Sequence, residues 1–131
     1  MTASEPTPVH RFIAAYNAGD WDAVRELMHP DYAHHNGNVT LTREQFLRGA
    51  AWLRKGLPDF ALEVVEVIGT GDRLACRMVA TGTHQGSLFG ETATGGAVSV
   101  PVAWFVRLED GVPAEDWEYM DEALLRGQLG A

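Results

Sequence analysis

Two hydrophobic rhythms divide the chain. From Val9 to Leu53 the apolar residues recur at intervals of three and four, and from Phe60 to Tyr119 they alternate with polar ones. Val9, Phe12, Ile13 and Tyr16 form one stripe, which predicts a helix starting at Thr7 and Pro8 and stopping at Gly19. Thr7 supplies an N-cap oxygen, and Pro8 sits in the first turn, where its missing N–H costs nothing. Asp20 caps a second helix whose Trp21, Val24, Leu27 and Met28 face inward until His29 and Pro30 end it. Asp31 to His35 reads as a brief extended segment, and Asn36, Gly37 and Asn38 turn the chain. Thr42 with Gln45 makes a capping box for a third helix carrying Phe46, Leu47, Ala50 and Leu53, closed by Gly56 and Pro58.

The alternating half predicts strands. Phe60 to Ile68 is followed by a hairpin turn at Gly69 to Asp72 and a return strand from Arg73 to Thr83, with Leu74, Cys76, Met78 and Ala80 on one face. Gln85 to Gly96, rich in glycine, is a long connection of the kind that often carries function. Ala97 to Leu108 is a further strand. Asp110 and Gly111 turn into a last strand that runs to Asp121, and Leu124, Leu125 and Leu129 close the chain in a short helix or turn. In this last strand Trp117, Tyr119 and Asp121 are two apart, so a regular strand points all three to one face. Helices followed by hairpins indicate an α+β domain, its helices laid on one face of a curved antiparallel sheet with a pocket between the layers.

Composition narrows the classes without changing this picture. The 131 residues are the size of a single domain over 1–131, with residues 1–6 as a flexible leader, and 46% apolar content supplies a core. Ten basic residues against eighteen acidic give a net charge of −8, and the basic ones are scattered. Nucleic acid and anionic membranes both demand a positive footprint, so neither is an expected partner. The single cysteine, Cys76, lies in an apolar run and reads as a buried thiol. With no apolar stretch long enough for a signal or a membrane span, a cytoplasmic location is expected.

Candidate chemistry gathers at the end of the last strand. A carboxylate that leaves water for an apolar cavity becomes a stronger base, and Asp121, preceded on its face by Tyr119 and Trp117, is a candidate general base for a carbon acid. Its competing role is the cap of the helix that begins beside it. Glu115 shares that face by alternation, while Asp116 and Glu118 fall opposite and read as solvated charges. Trp104 and Trp117 have the surface to stack a flat ligand or to fill the core. Of the adjacent His34 and His35 only one can point inward, and His84 opens the glycine-rich connection at the rim of the expected cavity. His34 and His84 are candidates for hydrogen bonding to substrate or for structural bonds. The histidines lack metal-ligand spacing, so no metal is expected. A nucleophile elbow, a phosphate loop and a dinucleotide fingerprint are absent.

Gly82 to Gly90, Thr94 and Gly95, Arg107, Gly111, Trp117, Asp121 and Gln128 to Gly130, with His29 to Tyr32 before them, together resemble the spaced signature of the SnoaL-like polyketide cyclases. The resemblance implies the cone-shaped α+β barrel of the nuclear transport factor 2 superfamily. It also implies a homodimer and a cofactor-free intramolecular aldol condensation on a hydrophobic polyketide ester, with the acid/base aspartate at Asp121. His34, His84, Trp104, Trp117 and Tyr119 would bind the substrate. The chain departs from the family at three places: Trp104 stands where a histidine is usual, Asp116 where histidine is frequent, and Pro113 where isoleucine is usual, which suits an edge or a bulge. The same resemblance admits other readings. One is a non-catalytic binding domain, another a cofactor-independent hydroxylase. The third is an epoxide-opening enzyme built on an Asp–Arg–Asp constellation that would use Arg107.

Overall fold

The computed structural model describes residues 6–130; most of the expected leader, residues 1–5, lies outside them. The elements follow the two rhythms. Helix α1 (Pro8–Ala18) opens with the expected Thr7 cap and ends at Gly19, whose φ of +71° is the left-handed conformation that a helix stop requires. Asp20 caps α2 (Trp21–Glu26), and Thr42 and Gln45 form the reciprocal capping box of α3 (Arg43–Gly56). Between α2 and α3 lie two short strands, β1 (Ala33–Asn36) and β2 (Val39–Thr42). Four longer strands follow: β3 (Ala61–Thr70), β4 (Arg73–Thr83), β5 (Ala97–Glu109) and β6 (Val112–Met120). Helix α4 (Glu122–Gly130) ends the described chain.

These strands form one sheet in the order β2-β1-β6-β5-β4-β3. It is mixed, because β1 runs parallel to β6 while every other pair is antiparallel, and it is an open sheet rather than the closed barrel expected, because its end strands β2 and β3 do not pair. The α+β architecture with helices on one sheet face is as expected, and the parallel pair is the addition. One face is apolar along its length: Leu74, Cys76, Met78 and Ala80 of β4 and Val98, Val100, Val102 and Trp104 of β5 are all buried. Phe12, Tyr16 and Phe46 of the helices pack over it, with Phe12 meeting the Trp104 ring edge-on at 5.8 Å. No helix among the described residues is long and apolar enough to cross a membrane.

The β5–β6 hairpin sets the faces of the last strand. From the turn outward Glu109 pairs with Val112 and Leu108 with Pro113, but the next pair is Arg107 with Glu115. Ala114 is therefore the extra residue of a β-bulge beside Pro113, and one extra residue exchanges the two faces of everything beyond it. Trp104 consequently faces Glu118, Val106 faces Asp116, and Val102 faces Met120. The expected inward face of Trp117, Tyr119 and Asp121 is thus the outer one, and Asp116 and Glu118, expected outside, point to the core.

Candidate active site

Between the helices and the inner sheet face lies a cavity of about 350 Å³. Its walls are mostly apolar, from Phe46, Leu53 and Leu57 on the helical side to Val98, Val100 and Met120 on the sheet. The polar groups that reach it are few: Tyr16, His34, Asn36, Trp104, Glu118 and Glu122. An apolar chamber with a handful of convergent polar atoms is the usual form of a small-molecule site.

His34 is placed by β1 and held by β6. The two strands pair His34 with Asp116, and His34 Nδ1–H donates to Asp116 Oδ1 at 2.7 Å. Asp116 is fully buried and its other oxygen accepts from the Tyr32 hydroxyl. With Nδ1 occupied, Nε2 is the ring nitrogen that His34 presents to the cavity. Burial works against a charge on the imidazole, but the bond to Asp116 and its negative charge outweigh it, so His34 holds its proton to higher pH than a free histidine. Tyr32 is pushed well above the ordinary tyrosine range, chiefly by burial and then by the adjacent Asp116 carboxylate, so it remains a donor.

Glu118 stands two pairs further along the same register, opposite Asn36 and on the same face as Asp116. Its Oε1 accepts from Trp104 Nε1 at 2.8 Å and its Oε2 from Asn36 Nδ2 at 2.8 Å. Burial raises its pKa above that of an ordinary glutamate, opposed by the nearby His34 and the Trp104 bond and assisted by Asp116. A carboxylate with raised basicity, fixed by two donors and set near an imidazole that keeps its proton, is a base close to an acid in a mostly apolar chamber. Tyr16, also lining the cavity, is raised by burial and by Glu118 and stays protonated.

The structure brings together two of the residues expected from sequence, His34 and Trp104. The others lie elsewhere. His84 is buried beneath the glycine-rich connection, its Nδ1 3.4 Å from the Thr94 N–H. Its backbone pairs with Gly95 and Gly96, so it fastens that loop and does not line the cavity. Trp117 stacks on His35 at 5.2 Å on the outer face, and Tyr119 is 60% exposed there. Asp121 is exposed and its Oδ1 accepts the Leu124 N–H at 2.9 Å, the bond of an N-cap. These three border an open groove on the outer side of the sheet, where a carboxylate keeps its water. Arg107 pairs with Glu115 at 3.0 Å, also outside, so no Asp–Arg–Asp group forms in the cavity. Among the described residues no three His, Cys, Asp or Glu side chains converge as a metal centre requires.

From the sequence Asp116 and Glu118 read as solvated charges, Tyr16 as core, Asn36 as part of a turn and Tyr32 as part of a family signature, and none of the five as a group of the site. The usable signal was Pro113, which marks the bulge, and the hairpin count from Asp110 and Gly111, which with one extra residue sets Glu118 against Trp104.

The model of the SnoaL-like polyketide cyclases matches residues 7–129. The chain is similar to the aklanonic acid methyl ester cyclase AcmA of Streptomyces galilaeus, 32% identical over 127 residues that cover 93% of this chain and 88% of the relative. The corresponding cyclase DnrD of Streptomyces peucetius is 30% identical over 128 residues with the same coverage. Among solved structures, TsrD from Streptomyces laurentii superposes with a TM-score of 0.83 at 31% identity, covering 95% of this chain and 92% of the other.

Proposed function

Because the chain belongs to the SnoaL-like polyketide cyclase family, we propose that its cavity closes a ring of a polyketide ester by a cofactor-free intramolecular aldol reaction, with Glu118 as base and His34 as acid. The observation that carries this reading is the pair itself, a basic carboxylate and an imidazole that keeps its proton, on the same face of the neighbouring strands β6 and β1 in one apolar chamber. Glu118 takes the proton from the carbon between two carbonyls. The resulting enolate carbon bonds to the carbon of a ketone in the same molecule, and the ketone oxygen becomes an alkoxide. His34 Nε2–H gives that oxygen its proton, and transfer from Glu118 back to His34 restores both groups. The product has the mass of the substrate. Trp104, in the place of the family's histidine, cannot move a proton but aims Glu118 through its Nε1–H. Asp116 and Tyr32 keep His34 oriented and charged.

The methyl ester of aklanonic acid, on which the relatives AcmA and DnrD act by name, is the first substrate to offer. The expected product is an isobaric compound with one new carbon–carbon bond, and an unconverted ester bound intact would favour the plain binding domain. In this assay Asp121→Asn is expected to keep kcat and melting temperature close to those of the parent, since asparagine caps a helix as well as aspartate does. A large loss of kcat with the fold intact would return the acid/base role to Asp121.

The outer sheet face supports a homodimer. Ile68, Phe105 and Tyr119 are each more than half exposed on it, Phe105 and Tyr119 meeting edge-on at 5.8 Å. Apolar groups so arranged on a sheet face mark an interaction surface. Light scattering is expected to give twice the chain mass, and Tyr119→Lys to lower it; a monomeric parent would remove the proposal.

A further inference from the structure

The glycine-rich connection carries one residue in a conformation its side chain resists. Phe89 has φ +50° and Gly90 has φ +78°, inside a tight turn closed by the paired backbones of Leu88 and Glu91. Two successive positive φ angles suit asparagine and glycine, and a phenylalanine in the first position is a backbone outlier. Such outliers persist where the surroundings over-determine them, and they cluster at ligand sites.

Here the surroundings are rigid. Gln85 and Gly86 both donate their N–H groups to Gly56 O, at 2.9 and 3.1 Å. Leu88 is buried against Gly56, where a Cβ would come within 2.7 Å of its own. The turn is therefore pinned to the end of α3, and its tip projects the Phe89 ring between two helices. The ring meets Trp52 of α3 edge-on at 5.4 Å, and Arg126 of α4 lies over it at 4.5 Å.

Phe89 and Trp52 both line the cavity, as do Gly49 and Glu122, and the last three are exposed at the surface. They mark its mouth. The opposite end, at Trp104 and Val100, is closed by the core. A ligand entering past Trp52 thus runs lengthwise between the half-buried Glu118 and the Phe89 ring, both of which line the cavity.

We propose that Phe89 is the specificity-determining residue of this site, a fixed cap whose ring sets the longest fused-ring ligand the cavity accepts. The inference rests on the cavity being the ligand site, as argued above. It extends that reading by naming what selects among flat polycyclic ligands.

The test compares 9,10-anthraquinone, with three fused rings, and 5,12-naphthacenequinone, with four, by calorimetric titration of the parent, Phe89→Asn and Phe89→Ala. Phe89→Asn removes the ring while supplying the residue that the turn conformation favours, so the loop keeps its fold. Phe89→Ala separates loss of the ring from gain of an amide. The parent is expected to favour the three-ring ligand, and both variants to shift the affinity ratio toward the four-ring ligand by roughly tenfold or more, the scale on which a pocket wall discriminates. Binding of both quinones with an unchanged ratio would overturn the role of Phe89 and leave the cavity reading standing. Equal weakening of both would make Phe89 a plain apolar wall and also overturn it. Failure of all three proteins to bind either quinone would overturn the cavity reading and this proposal with it.

Discussion

Glu118→Gln is expected to lower kcat for ring closure by about 10²- to 10⁴-fold, the range that a positioned general base supplies, while leaving the protein at least as stable as the parent. The second half of that expectation follows from the same burial that makes Glu118 basic. Its pKa is raised mainly because the cavity strips water from the carboxylate, and a group whose neutral form is favoured in the fold costs stability whenever it is ionised. Folded Glu118 binds its proton more tightly than the unfolded chain does, so its contribution to stability falls as pH rises through the window above about 4.3, the unfolded value. Glutamine keeps an oxygen for the Trp104 N–H and carries no charge, so the penalty disappears at neutral pH. Asn36, which is exposed, can turn its amide to accept from the new one. The measurement is kcat beside a thermal melt at neutral pH. Unchanged turnover would sink the assignment. A lost turnover accompanied by a lower melting temperature would make Glu118 structural.

The same contrast between local and long-range determinants separates what could and could not be seen in the sequence. Helices α1 and α3 announced themselves through Thr7, Gly19, Thr42 and Gln45, because caps are local and their bonds lie within four residues. The β3–β4 hairpin was legible for the same reason, its turn and its alternating Leu74, Cys76, Met78 and Ala80 being contiguous. The pairing of β1 with β6 was not, because two four-residue segments some eighty positions apart leave no periodic trace of their adjacency. Strand β6 misled for a physical reason. Hydrophobic alternation assigns Trp117 and Tyr119 to the core, yet the Ala114 bulge turns them outward and brings two carboxylates in. Polar residues inside and aromatics outside violate the pattern in the way functional sites do; on the proposed function the interior carries the chemistry and the exterior the dimer contact. Asp121 follows two aromatics that plain alternation directs into a pocket, whereas its partner is the backbone of α4.

Asp116→Asn is expected to change the response of the protein to pH, in both activity and stability. In the parent, burial pushes the His34 imidazole toward neutrality and the Asp116 carboxylate more than reverses it. Because the folded pKa of His34 is above the unfolded value of about 6.5, the pair's stabilisation is fully present below that value and is lost as pH rises through the folded one. Parent melting temperatures should accordingly fall as pH is raised above about 6.5, the unfolded value. Asparagine keeps one oxygen to accept from His34 Nδ1–H and turns its N–H toward the Tyr32 oxygen, so both contacts survive, but it offers no charge. Burial then acts alone and His34 loses its proton at lower pH. Below about pH 6.5 the variant should be less stable than the parent by up to about 3 kcal/mol, the lower end of the cost of breaking a buried pair. With rising pH the difference should shrink. Turnover needs Glu118 ionised and His34 protonated, so the parent's rate should fall on both sides of an optimum, and the alkaline limb in Asp116→Asn should move to lower pH. A KM near the parent's would show that the cavity still binds its ligand. Superimposable pH–rate and pH–stability curves for the two proteins would mean that Asp116 does not govern the charge of His34, and the acid in the proposed mechanism would have to be sought at Tyr16.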